Sequence, residues 1–173
     1  SSSVLKVLQW LTQVRGKKTI VLLSTGLDTS SPKDSATAVE QLKISDVRLL
    51  AVSLTGGLQA PPQGKKKKAP TAMSTETAQQ FALANQLLKQ MAEATGGRAY
   101  FPQSGKDFEA AYKEIAEIVR HEYSLAFAPP ARDGLVHSIV VRLRAEQNSA
   151  PSTSQPSYRV DHRQAYLAPA PAP

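Results

Sequence analysis

The chain has 173 residues, 41% hydrophobic and 20% charged, with 9 Gly, 12 Pro and no Cys. That is ordinary globular composition, long enough for one domain with its own core, and the missing cysteine excludes a disulfide framework, a thiolate nucleophile and a cysteine-based zinc site. The formal charge of +7 is concentrated in Lys65, Lys66, Lys67 and Lys68, so the remainder is nearly balanced and lacks the spread basic face of a nucleic-acid binder.

No apolar run reaches the roughly 20 residues that span a bilayer, and the residues from Ser1 onward lack the basic, apolar and small-residue order of a secretory signal. Val4, Val7, Leu8, Leu11 and Val14 recur at helical spacing around Trp10, and Gly16 supplies a stop. Thr19 to Leu23 is a β-branched and apolar run without alternation, the pattern of a parallel strand covered on both faces. Pro32 to Lys43 predicts a helix with Ala36, Val39 and Leu42 inward, and Val47 to Leu54 a second buried strand.

Residues 58 to 73, with Pro61, Pro62, Gly64, the lysine run and Pro70, predict an exposed loop. From Ser74 a long helix carries Phe81, Ala84, Leu87, Leu88, Met91 and Ala92 on one stripe and stops at Gly96 and Gly97. Arg98 to Phe101 is a short strand. Ser104 and Asp107 then form a capping-box pattern before a helix whose core face is Phe108, Tyr112, Ile115 and Val119.

After Arg120 the period becomes two. Tyr123, Leu125 and Phe127, then Ile139, Val141 and Leu143, predict half-exposed antiparallel strands near 123 to 128 and 136 to 144, with Asp133 and Gly134 in the turn. Residues 146 to 157 read as a linker, Tyr158 and Val160 as a last short strand, and residues 169–173 as a Pro/Ala-rich tail.

The segments GKKTIVLLSTGLDTSS (16 to 31), DVRLLAVSL (46 to 54), ATGGRAYFP (94 to 102), FEAAYKEIAEIVRHEYSLAFAPP (108 to 130) and YRVDHRQAYLAP (158 to 169) together resemble the bacterial, acidobacterial-type von Willebrand factor A-related domain. The resemblance implies an α/β fold, von Willebrand A-like and Rossmann-like, with a parallel-sheet core, helices on both faces and C-terminal antiparallel strands. It divides the chain into a partial core at 1–120, an antiparallel extension at 121–168 and the tail. It further implies a secreted or periplasmic protein. The family's first strand ends in an Asp-x-Ser-x-Ser metal loop, and nothing of that kind precedes residue 18, so the chain resembles the C-terminal part of such a domain.

By that resemblance the family's acidic ligand after the strand falls on Thr25 of LLSTG, so the carboxylate expected there is gone. Asp28, Thr29, Ser30 and Ser31 imitate the start of a metal loop, but Pro32 closes the run, so Asp28 and Ser30 are weak metal candidates and a helix-capping loop is the expectation. No cofactor is expected, with Mg or Ca binding only if an upstream segment supplies the missing loop. Gly64 and Lys65 fail the phosphate-loop pattern, because Gly57 is misplaced and Lys66 stands where a Ser or Thr belongs.

His121, His137 and His162 are scattered without a His or carboxylate partner at ligand spacing, and Ser24 lacks a nucleophile elbow. Tyr100, Phe101, Tyr112, Tyr123, Phe127, Tyr158 and Tyr166 are expected in the core and in strand pairs. The expectation is therefore a non-enzymatic protein-binding, adhesion or assembly module, joining a protein partner or a second copy through the sheet edge. The alternative is an anionic-polymer or nucleic-acid binder that uses Lys65, Lys66, Lys67 and Lys68.

Overall fold

A computed structural model describes residues 2–27, 32–56, 75–143 and 160–171. The order is α1 (Ser2–Leu11), β1 (Lys18–Ser24), α2 (Pro32–Ile44), β2 (Val47–Ser53), α3 (Thr75–Ala94), β3 (Ala99–Tyr100), α4 (Gly105–Arg120), β4 (Val136–Ser138) and β5 (Ala165–Leu167). β1, β2 and β3 form a parallel sheet in that spatial order, and β4 pairs antiparallel with β5. The fold is mixed α/β with four helices among the described residues.

β2 is the axis of the core. Its residues are buried except for Arg48, because both pleat faces are covered. Leu49 joins Val4 and Leu8 of α1, Ala38 and Leu42 of α2, and Met91 of α3 in one cluster. Ala51 packs with Leu88 and Ala92 of α3 on the same face. Leu50 and Val52 point the opposite way, where Ile115 of α4 covers them with Phe108 and Ile118. Burying side chains of this size contributes about 1.5–3 kcal/mol each, and Leu42, Leu49, Leu50 and Val52 are fully buried.

The capping box predicted for α4 is present: Ser104 Oγ accepts from the Asp107 N–H at 3.3 Å, and Asp107 Oδ2 accepts from the Ser104 N–H at 2.9 Å. α3 ends where Gly96 takes φ +67 and the backbone of Gly97 lies against β2. A Cβ on Gly97 would stand 1.8 Å from the Leu49 carbonyl oxygen, so the closeness of this approach admits no side chain.

Several sequence expectations are corrected. β1 is covered on one face only: Ile20 and Leu22 pack toward α2 and α3, whereas Val21 and Leu23 are 40% and 45% exposed. α4 is turned from its predicted stripe, with Ala111 and Ile115 buried while Tyr112 and Val119 are exposed. In α2, Ala38 takes the buried place expected of Ala36, which is exposed. Leu42 is buried as expected and Val39 is half-buried, because the inward arc runs through 35, 38, 39 and 42.

The C-terminal strands also differ. Residues 123 to 128 pair with no described strand, β4 spans three residues of the expected 136 to 144, and the last strand lies at Ala165–Leu167 and not at Val160. Alternation identifies two faces of a segment but names no neighbour, and here β5 takes the place beside β4. Ladder contacts continue past the strand ends, from the Ile139 N–H to the Gln164 carbonyl at 2.8 Å and from the Ala168 N–H to the Leu135 carbonyl at 2.9 Å. The loop expected at 58 to 73, the linker expected at 146 to 157 and Tyr158 lie outside the described residues.

Candidate functional site

β1 has one strand neighbour among the described residues, β2, in register from Lys18↔Val47 to Ser24↔Ser53. Its other edge runs from Lys18 to Ser24 with no charge, proline or glycine in between. Natural sheets usually guard an edge strand with such residues, because its outward N–H and C=O groups template another strand. Lys18 gives no guard, since its side chain is 7% exposed and its Nζ is held 2.6 Å from Asp46.

The uncovered pleat face adds to that edge. Val21 and Leu23 stand beside Leu50 and Val52 in the parallel register, so the apolar surface that α4 covers over β2 continues uncovered onto β1. A ladder of peptide groups that no described strand pairs, flanked by Val21 and Leu23, can add a strand, with backbone bonds supplying affinity and side chains selecting the sequence. Period-two spacing reveals which residues share a face, but only the placement of α4 over β2 and β3 shows this face to be open.

The carboxyl end of the sheet holds a different group. Asn85 Oδ1 of α3 accepts from Ser53 Oγ at 2.7 Å and from Thr55 Oγ1 at 3.3 Å, while the two hydroxyls lie 2.8 Å apart. Ser53 and Thr55 are each 1% exposed, so this network satisfies its own members and ties α3 to the end of β2. Ser24 Oγ accepts from the Gly26 N–H at 3.0 Å, which makes it a turn-forming hydroxyl. Thr25 is half-buried beside it.

Two of the three histidines have the carboxylate partners that the sequence reading missed. His121 Nε2 is 3.1 Å from Glu117, and His137 Nε2 is 3.0 Å from Asp133, both four residues apart. The helical i, i+4 spacing would have found the first, whereas the second crosses a turn into β4, where spacing carries no such signal. His137 also stacks on Tyr166, and the hydrogen bond from Leu135 N–H, then that with His137, holds the Asp133 carboxyl below its ordinary range. His162 Nδ1 lies 2.7 Å from the Arg163 carbonyl, and its Nε2 accepts from the Val141 N–H at 3.4 Å.

Nor do the aromatics share one fate. Tyr123 is 92% exposed, and Tyr112 and Phe127 are also exposed, against the expected core and strand-pair roles. Tyr100 is half-buried; burial and then the neighbouring charge of Glu114 push its pKa up to about 12. Alongside it Arg98 pairs with both Glu114 of α4 and Asp161, joining the C-terminal segment to the core.

A cleft of about 480 Å³ between α1, the end of α2 and the start of β2 is lined by Leu5, Leu8, Leu11, Ile44 and Val47. The Asp46 carboxylate at its rim is already held by Lys18. No three His, Asp or Glu side chains converge among the described residues. Asp28, Ser30 and the lysines Lys65, Lys66, Lys67 and Lys68 lie outside those residues. No described helix is long and apolar enough to cross a membrane.

The chain matches no family model, and neither the curated proteins nor the solved structures contain a match to it.

Proposed function

We propose that this chain is a non-enzymatic protein-binding or assembly module of the von Willebrand A type, secreted or periplasmic, that takes up a strand of a protein partner at the outer edge of β1. One observation carries the reading: a seven-residue edge strand whose single charge, Lys18, is held by Asp46, and whose Val21 and Leu23 are exposed beside the apolar surface under α4. The family, the location and the adhesive role rest on the quoted sequence segments. The edge supplies the physical means, since strand addition needs a ladder of unpaired peptide groups and alternate side-chain contacts, and no reacting group.

Selection of displayed random heptapeptides on the full chain tests this reading. Peptides alternating apolar and small residues should be enriched on the natural chain and lost on Val21→Glu/Leu23→Glu, which places two charges on the receiving face. Enrichment that is indifferent to those substitutions, or no enrichment, would overturn the proposal.

A further inference from the structure

We infer that the open edge of β1 is also the seat of this chain's own residues 123–127, which compete there with a partner strand. The inference rests on the proposed strand-accepting role of that edge and adds its regulator. Topology sets the direction. α2 and α3 both lie on the Leu49 and Ala51 face, while the chain steps from β1 to β2 to β3 in one direction, as two crossovers of one hand require. Parallel crossovers are almost invariably right-handed. α4 crosses on the opposite face, over Leu50 and Val52, so a connection of the same hand must step back past β2 and β1. The position left in that direction is the outer edge of β1.

The chain leaving α4 is already brought to the end of the sheet at which β1 starts. Lys17 Nζ donates to the Glu122 carbonyl oxygen at 3.2 Å, and Arg48 lies 3.6 Å from the Glu122 carboxylate. Residue 122 therefore stands at the starting end of β1 and β2. The five residues that follow have strand chemistry without a strand neighbour among the described residues: Tyr123, Leu125 and Phe127 are 92%, 79% and 56% exposed, and Ser124 and Ala126 alternate with them.

Counted upward from Glu122 beside Lys18, Leu125 reaches the level of Val21 and Phe127 that of Leu23. All four then share the pleat face that α4 leaves open, while Ser124 and Ala126 turn their small side chains toward the helices on the other face. Pro129 and Pro130 end the strand at Ala128. Five strand residues climb about 17 Å, and residues 129–135 reach up to about 23 Å when extended, which is the span available for the return to β4. What must be released is the edge-to-face contact of Phe127 with Tyr166, at 5.2 Å between ring centroids.

Two measurements on the full chain test the seat. The sequence has no cysteine, so Val21→Cys/Leu125→Cys reports one pair, whose separation in neighbouring strands suits a disulfide. Mild oxidation should give a closed monomer much faster than the control Val21→Cys/Val140→Cys. Cross-linked dimers would overturn the inference in favour of exchange between copies, and closure no faster than the control would overturn it outright.

The second measurement is the affinity of a peptide with the sequence of Glu122–Ala128. If the segment occupies the edge nine-tenths of the time, Leu125→Lys/Phe127→Lys should bind that peptide about ten-fold more tightly than the natural chain. Equal, measurable binding overturns self-occupation and leaves the strand-accepting edge standing. Absence of binding to either chain overturns both.

Discussion

Lys17 and Glu122 are joined by a hydrogen bond of 3.2 Å across 105 positions of sequence. It links the entry to the first strand with the exit from the last long helix, on elements whose cores otherwise face apart. β1 packs Ile20 and Leu22 toward α2 and α3, while α4 buries Ile115 on Leu50 and Val52. This junction and the Arg48–Glu122 pair place the end of α4 beside the sheet where β1 and β2 begin.

The sheet's dependence on its central strand is measurable. Leu50 is fully buried between β2 and α4, whereas Leu83 on α3 is 67% exposed. Leu50→Ala should lower stability by about 2–5 kcal/mol through lost transfer energy and a residual cavity, and Leu83→Ala should change it by no more than about 0.5 kcal/mol. Urea midpoints for the two variants check this, and equal midpoints would contradict the assigned core.

Glycines separate in the same way. At Gly97 an added Cβ meets the Leu49 carbonyl oxygen at 1.8 Å, while at Gly105, in the first turn of α4, it meets nothing within 4 Å. Gly97→Ala should push α3 away from β2 and cost several kcal/mol, on the order of the larger single-site effects. Gly105→Ala should stabilise by about 0.4–1 kcal/mol by restricting the unfolded chain. Thermal unfolding of the two variants should therefore shift in opposite directions.

How far the sequence alone reaches follows from these contrasts. β2, α3 and the capping box of α4 are readable because each is specified locally or by burial on every side: a continuous apolar run, a stripe ended by Gly96 and Gly97, and Ser104 three residues before Asp107. β1 carries the same apolar run as β2, yet one face of it is bare, since composition states what could be covered and not what covers it. Periodicity puts the α4 stripe through Tyr112 and Val119, but Ala111 and Ile118 lie inward, because small and large apolar residues at adjacent helical angles compete for the buried arc. The open edge of β1 itself could not be found in one segment. It depends on the strand order and on α4 covering only part of the sheet.

Tyr100 makes the fold sensitive to alkali. Its pKa of about 12 in the folded chain lies above the ordinary value of 10, chiefly through burial and then through Glu114. Folding thus favours the neutral phenol, so this contribution is complete below pH 10 and is lost as pH rises from 10 through 12. Tyr100→Phe removes the titrating group and keeps the ring. The variant should lose less stability than the natural chain over that interval, read from urea midpoints at pH 9 and above. Parallel losses in the two proteins would contradict the assignment.

Asp107 acts at the opposite end of the pH scale. The Ser104 side chain, then the Gln103 and Ser104 N–H groups, hold its carboxyl below the ordinary range. A depressed carboxyl contributes stability that is present above its unfolded pKa and is lost as pH falls through the lower folded value. The natural chain should therefore exceed Asp107→Ala in stability at pH 7, with the gap closing once the pH is well below 4. Ser104→Ala removes the acceptor for the Asp107 N–H and should cost about 1 kcal/mol at pH 7, leaving a smaller acid-dependent gap because one support of the carboxylate has gone. Helix content and urea midpoints at pH 7 and pH 2.5 decide it: a gap of equal size at both pH values would show that Asp107 supports α4 by packing and not as a charged cap.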